Sequence, residues 1–481
     1  MQKKNIICTF VSLNITIILV MKNKSYSFTA RYLLIFFLAI IQFHAFSQDN
    51  IWECPSLTAK ETIVRNWTKN QYVVYTNDGS GIVRFSVIDP STSNVYEISP
   101  IATLPNAVIN DFEIMKDAVY FCGNYGANAF FGYFDIPTAL SGTGIATILP
   151  MSVACPSNYI PGGTEILENL LKLEIIPCSD GFHAVMIGEA STTNPHARCI
   201  VDLRHTYTPS TWTLCFSQDY FLGHHYDDIA ATNREVVVVG HKPGGNCHYL
   251  FSFILPTTAM NSLFTLPSGI PNPIYTSWTT NHYYPFPYSS FLIEHIENDI
   301  FAIVGYSDCD DYNYGATVST YNSTPNIIDR CYIPQGKTNS SRWKLKDFRY
   351  NSLNGALYLL QDMNAPVDPS VNSVICSFHL NAGIITGVDA SYEKNVPYFS
   401  LDQYSPNMST VAVGTNPYLR MWHHTGAIVS PCVHQATLPY TRITAPDASS
   451  LIEIYYTQNA NITPITSVLS VDRHRMNPIC N

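Results

Sequence analysis

Polar and apolar positions alternate in short bursts along this chain, and one arrangement of bursts returns over nearly its whole length. A polar or turn residue precedes four to six apolar residues that end near Gly, Cys or Asn; after a polar loop comes a second alternating run that often ends in Asp. Ala118-Val119-Tyr120-Phe121-Cys122-Gly123, answered by Phe131-Gly132-Tyr133-Phe134-Asp135-Ile136, is one copy. Glu235-Val236-Val237-Val238-Val239-Gly240, answered by Tyr249-Leu250-Phe251-Ser252-Phe253-Ile254, is another. A period of two in β-branched and aromatic residues predicts half-buried strands joined as hairpins. A further strand precedes most copies, as in Asn110-Asp111-Phe112-Glu113-Ile114 and Lys346-Asp347-Phe348-Arg349-Tyr350. One follows many of them, as in Asn94-Val95-Tyr96-Glu97-Ile98 and Thr211-Trp212-Thr213-Leu214-Cys215.

Counted by their first strand, the copies begin near Gln71, Ala118, Phe182, Glu235, Asp299, Ala356, Thr410 and Leu451, at spacings of 47, 64, 53, 64, 57, 54 and 41 residues. Four strands per copy, recurring at lengths near the roughly 40 to 50 residues of blade repeats, predict sheets that must stack to bury both faces. The expected fold is all-β: a β-propeller of seven or eight four-stranded blades, one domain over 48–481. The copy after Leu451 lacks a clear last strand, and the segment Ile51 to Leu57 is expected to supply it. Closing the ring with the N- and C-terminal segments removes an exposed sheet edge.

The first copy carries a family resemblance. Tyr72-Val73-Val74-Tyr75-Thr76-Asn77-Asp78-Gly79-Ser80-Gly81, running to Val87-Ile88-Asp89-Pro90-Ser91-Thr92-Ser93-Asn94-Val95, resembles the YVTN-type propeller repeat. Asn, Asp and Gly tolerate the left-handed backbone that its hairpin turn needs. The resemblance implies the fold and no activity.

Two apolar stretches open the chain. Leu33 to Ile41 follows Lys22, Lys24 and Arg31 and precedes Ala45-Phe46-Ser47-Gln48. Small residues at the minus-three and minus-one positions predict a signal peptide over 1–47 cut after Ser47, with Met21 as an alternative start. Such a run is short for the ~30 Å of a bilayer core, so no membrane insertion is expected. A mature N-terminal Gln resembles secreted proteins of the Bacteroidetes, and a secreted, periplasmic or cell-surface location follows as the expectation. Without the leader, 21 basic residues face 36 acidic ones. That balance disfavours nucleic acid and anionic membranes as partners, since both need a basic footprint.

Twelve cysteines follow the leader, an even number that predicts disulfides in an exported chain. Hairpin geometry predicts one pair: Cys199 and Cys215 lie symmetrically about Tyr207. Cys309–Cys331, Cys155–Cys178 and a ring-closing Cys54–Cys480 are further candidates.

Chemistry is sparse. His224-His225-Tyr226-Asp227-Asp228 has metal-ligand residue types but is expected to be a solvated loop, and the neighbours His423 and His424 should point to opposite faces of a strand. Asp308, Asp310 and Asp311 form the densest acidic loop and are weak calcium candidates, with a plain hairpin as the alternative. No other cofactor is expected. Asp78, Asp89 and Asp135 sit where side chains cap backbone amides. The aromatic loop from Trp278 to Tyr288, with Tyr283, Tyr284 and Phe286, offers flat faces to sugar rings or apolar side chains. These observations predict a monomeric, non-enzymatic binding or scaffold module with an extracellular glycan or protein ligand. The alternative is a propeller glycosidase or lyase, whose catalytic residues no motif identifies.

Overall fold

A computed structural model of the chain divides into Met1–Gln48 and Asp49–Asn481. It describes 11–12, 15–16 and, between 50 and 480, all but short stretches. Those of seven residues or more are 157–163, 255–273, 280–291, 335–344, 363–369 and 425–432. The first unit contributes one described pairing, Val11–Ser12 with Ile15–Thr16. The expected signal peptide otherwise lies outside the described residues.

The second unit is an all-β propeller. Its strands form seven sheets, six with five strands and one with six. Their innermost strands are β1 (Glu61–Thr68), β2 (Ala107–Met115), β3 (Thr164–Pro177), β4 (His225–Ala231), β5 (Leu292–Glu297), β6 (Leu345–Asn351) and β7 (Tyr398–Tyr404). Each packs against the inner strand of the next sheet, and β7 packs against β1, so the ring closes. Within each sheet the chain meanders outward by antiparallel hairpins, as in Glu61–Thr68, Gln71–Asn77, Arg84–Asp89 and Asn94–Ile98 of the first.

Hydrophobic burial is layered between sheets. Val73, Phe85 and Val87 of the first sheet pack with Phe112, Phe121, Phe130 and Phe134 of the second, and Phe85 lies 5.4 Å from each of Phe112, Phe121 and Phe134, ring to ring. Comparable layers join the second and third, fourth and fifth, fifth and sixth, sixth and seventh, and seventh and first sheets. One sheet cannot hide both faces; stacked neighbours can.

The sheets depart from the four-stranded expectation. The C-terminal segment supplies β8 (Val433–Thr437), β9 (Thr441–Arg442), β10 (Asp447–Leu451), β11 (Ile454–Gln458), β12 (Ile465–Val468), β13 (Val471–Arg475) and β14 (Asn477–Cys480). These add, in that order, to the outer edges of the sixth, fifth, fourth, third, second, first and seventh sheets, each antiparallel. The segment therefore runs back around the ring as a belt. The copy expected to start at Leu451 is no sheet of its own: Leu451 ends β10, and the chain after it supplies only the belt strands β11 to β14. The physical reason is edge protection: an outer strand without a partner presents unpaired amides and carbonyls.

Closure uses both termini. Asn50–Thr58 enters the seventh sheet between Tyr418–His424 and β14. Arg420 fastens it through Glu53 at 3.2 Å and also pairs with Glu393, which accepts from the Tyr398 hydroxyl at 2.6 Å. His423 and His424 are both buried in that sheet, one against Trp52 and the other against Trp422 and Tyr358.

The register corrects the disulfide expectations. The turn pairs Tyr207 with Ser210, which sets Cys215 opposite Asp202 and leaves Cys199 three positions out of register with it. Cys155 pairs with Glu165 near one end of β3 and Cys178 follows the other end, roughly 40 Å away at strand rise. A whole strand, Asn313–Asn322, separates Cys309 from Cys331, which exceeds the ~7 Å that a disulfide spans between Cα atoms. Cys480 pairs with Ile51, not Cys54. Cys54, Cys122, Cys178 and Cys376 carry free thiols.

Candidate functional site

The apolar run ending in Gly has a structural purpose. Gly123, Gly188, Gly240 and Gly414 stand opposite Ile109, Leu170, Tyr226 and Tyr398, each one residue before a β-bulge in the inner strand. A Cβ on Gly123 would lie 1.9 Å from the Val108 carbonyl oxygen, and one on Gly414 would lie 2.3 Å from that of Pro397. Glycine lets the bulged strand come in, and the bulge re-aims the residues that follow it. Those residues are Asp111, Lys172, Asp228 and Ser400; Asp347 follows an equivalent bulge opposite Gln361.

The re-aimed side chains reach the next sheet. Asp111 accepts from the Leu173 amide at 3.2 Å, Asp228 from Ile293 at 3.0 Å and Asp347 from Leu401 at 2.8 Å. The Ser400 hydroxyl accepts from Val64 at 3.3 Å. Glu294 accepts from the Tyr350 amide at 3.2 Å, and Asp402, two residues after Ser400, from that of Asn66 at 2.5 Å. These amides lie on inner strands at positions where, among the described residues, the inward edge has no ladder partner, so the carboxylates satisfy donors that burial would otherwise orphan. Val64, Phe112, Leu173, Ile229, Ile293, Phe348 and Leu401 form the buried apolar layer beside the contacts.

Cations complete the ring. Arg65 bridges from the first sheet to Asp111 at 2.6 Å and Glu113 at 2.8 Å. Lys172 reaches Asp228 at 3.3 Å, and Arg349 lies 3.6 Å from Glu294 and 3.2 Å from Asp347. All seven joints between sheets thus carry a carboxylate–amide, hydroxyl–amide or ionic contact.

Glu174 is the exception. It sits two residues after Lys172, as Glu113 does after Asp111, yet makes no hydrogen bond or ion pair among the described residues. Burial pushes its carboxyl well above the ordinary range, and Glu113, Glu294 and Asp111 add like charge. Burial also raises Glu294 to about 8 against the pull of Arg349, and raises Glu113 against Arg65. Asp347 goes the other way: Arg349, Arg65 and the bonds from Leu401 and Ser400 outweigh its burial and hold it below the usual carboxylate value. Carboxyls that keep a proton beside carboxylates that lose theirs provide the raw material of acid–base chemistry.

The residues singled out by sequence lie elsewhere. Trp278 falls within strand Ile274–Thr279, and Tyr283, Tyr284, Phe286 and Tyr288 lie outside the described residues. Asp308 and Asp310 end strand Ile300–Asp310, where Asp310 pairs with Asn313 across a hairpin turn; Asp311 and the neighbouring side chains lie outside the described residues. Asp78, Asp89 and Asp135 accept from the amides of Ser80, Ser91 and Thr138 at 2.7, 3.0 and 2.9 Å, as turn residues should. Of the segment expected to be a solvated loop, His224 lies outside the described residues and His225-Tyr226-Asp227-Asp228 belongs to β4, with Asp227 and Asp228 buried. The missed signal was the repeated acid-then-apolar pair, Asp111-Phe112, Asp228-Ile229 and Asp347-Phe348.

No protein-family model matches the chain, and no curated protein matches it. Solved structures give distant similarities. The NanB sialidase from Streptococcus pneumoniae aligns with a TM-score of 0.36 and 9% identity over 78% of this chain and 70% of that one. The WD40 domain of SCAP from fission yeast aligns with a TM-score of 0.31 and 10% identity over 79% of this chain and 98% of that one.

Proposed function

We propose that the protein is an exported, non-enzymatic propeller, each of its seven sheets a blade, that binds a glycan or protein ligand through loops carried by a rigid ring. The observation behind this reading is the fate of the inner-strand acids. Asp111, Asp228, Glu294, Asp347 and Asp402 each hold a neighbouring backbone amide, and Glu113 holds Arg65. Side chains spent on holding sheets together are poorly placed to serve a substrate. The segment from Trp278 to Tyr288 is the proposed ligand contact, because aromatic faces suit neutral sugars and apolar side chains in a strongly acidic protein.

A glycosidase or lyase reading rests on Glu174, an inner-strand carboxyl that makes no hydrogen bond or ion pair among the described residues and that burial pushes well above the ordinary range. Affinity electrophoresis through gels containing soluble polysaccharides, paired with a reducing-end assay on the same polysaccharides, separates the two. The binding reading expects retardation that Trp278→Ala with Tyr284→Ala abolishes, and no new reducing ends. Reducing ends that appear with the wild type and vanish in Glu174→Gln would replace it with the enzymatic one.

A further inference from the structure

Away from the inner strands, the third sheet holds a second constellation that the ring does not use. His183, on strand Gly181–Ser191, and Asp202, on strand Ala197–Tyr207, are both buried. The His183 Nδ1 lies 2.9 and 3.2 Å from the two Asp202 oxygens. Ile176 pairs with His183 next to the hairpin turn between β3 and Gly181–Ser191, so a residue two beyond Ile176 is a diagonal neighbour of His183 on the same face of the sheet. That turn carries Cys178, whose amide donates to the Gly181 carbonyl at 2.9 Å. Gly181 lets strand Ala197–Tyr207 come close, since a Cβ there would lie 1.8 Å from the His205 carbonyl oxygen. Cys178 is a free thiol and half-buried, unlike the fully buried Cys54, Cys122 and Cys376.

We propose that Cys178 is a reactive nucleophilic thiol, backed by the His183–Asp202 pair, and that it is a site of covalent modification by small disulfides. The step is thiol–disulfide exchange: the Cys178 sulfur attacks one sulfur of the disulfide, the S–S bond breaks, and the second half leaves as its thiolate. The Cys178 proton is lost to solvent, and no other oxidant is needed. An imidazole held by a carboxylate in one orientation is the arrangement that activates sulfur nucleophiles elsewhere. Burial alone would lower the His183 pKa; Asp202, and then the Cys178 thiol itself, carry it up to about 9, so the ring is cationic at neutral pH and favours an anionic sulfur beside it. The groups facing the thiol are His183, with Asp202 behind it, and Tyr207, whose hydroxyl is raised by burial and then by Cys178. Tyr207 is neutral throughout the useful range and leaves His183 as the group that sets the charge. A merely structural role for the pair explains the His183–Asp202 bond but does not call for an accessible thiol beside it.

The test is the rate of reaction of the native full chain with 5,5′-dithiobis(2-nitrobenzoate), followed between pH 5 and 9, with peptide mapping of the labelled site. The proposal expects Cys178 to label first. It also expects loss of the fast phase in Cys178→Ser. His183→Gln should slow labelling of Cys178 at least tenfold at pH 6.5 while leaving the rate at pH 9 nearly unchanged. The same thiol in urea-unfolded wild type supplies a reference that does not depend on any variant folding. A native Cys178 that reacts no faster at pH 6.5 than in the unfolded chain would overturn the proposal, as would a pH profile that His183→Gln does not move.

Discussion

Asp347 shows what one side chain does for the ring. One oxygen accepts from its own strand at the Phe348 amide, 2.9 Å away; the other accepts from Leu401 at 2.8 Å and from the Ser400 hydroxyl at 2.7 Å in the next sheet. Arg349 lies 3.2 Å from the first oxygen. Hydrogen bonds to a buried charge contribute about 1.5–3 kcal/mol, and removing the acceptor orphans the donors as well. Asp347→Ala should therefore destabilise by about 3 kcal/mol, and Asp347→Ser, which keeps one acceptor, by less. Urea denaturation of both variants checks this ordering. Equal losses, or none, would show that the amides find other partners and that the carboxylate is not the fastener. Gly414 belongs to the same argument, since it makes room for the bulge before Ser400, which accepts from Val64 and donates to Asp347.

At the scale of elements, the hairpins are legible and the belt is not. Seven of the eight expected starts fall within one residue of the start of the strand that follows the inner strand of a sheet, because that strand is buried on both faces and reads as an unbroken apolar run. The inner strands are legible as strands but not as a site. Asp111-Phe112 and Asp347-Phe348 look like ordinary alternation, and what makes them matter is an amide 62 or 54 residues away in the next sheet. The belt strands are two to five residues long, and those with described side chains are largely exposed: Ile465–Val468 buries only one of its four residues. Such segments have little apolar periodicity; pairing on a pre-existing edge defines them. A chain ending at Ser430 loses all seven outer strands, and with them β14, which covers the N-terminal strand. It should melt at lower temperature and associate through its uncovered edges. Light scattering during size-exclusion chromatography reads the association; a monomeric truncated chain with unchanged melting temperature would reduce the belt to decoration.

For the whole molecule, the inner ring and the His183–Asp202 pair bias stability toward mildly acid solution. Glu294 holds its proton up to about 8, whereas an unfolded Glu releases it near 4.3. Between those values the folded chain binds the extra proton, so stability falls as pH rises. Glu113 and Glu174 are shifted in the same direction. The His183–Asp202 pair contributes fully below the unfolded histidine value of about 6.5 and loses its contribution as pH rises through about 9. Asp347, lowered by Arg349 and Arg65, acts oppositely: its contribution is present above the unfolded value of about 3.9 and is lost as pH falls through its folded value. The acid limb therefore begins below about pH 4, while the alkaline decline starts near pH 5 and runs to about 9. The melting temperature should be higher at pH 5.5 than at pH 8.5. Glu294→Gln removes one carboxyl that must ionise along that decline, so it should flatten the profile between pH 5 and 8 while leaving the His183 loss near 9 in place. Calorimetry of wild type and variant across pH 4 to 9.5 measures both. A wild-type profile that climbs toward pH 8.5, or a variant with the same slope as the wild type, would mean that water reaches the ring freely enough for its acids to titrate as they do on a surface.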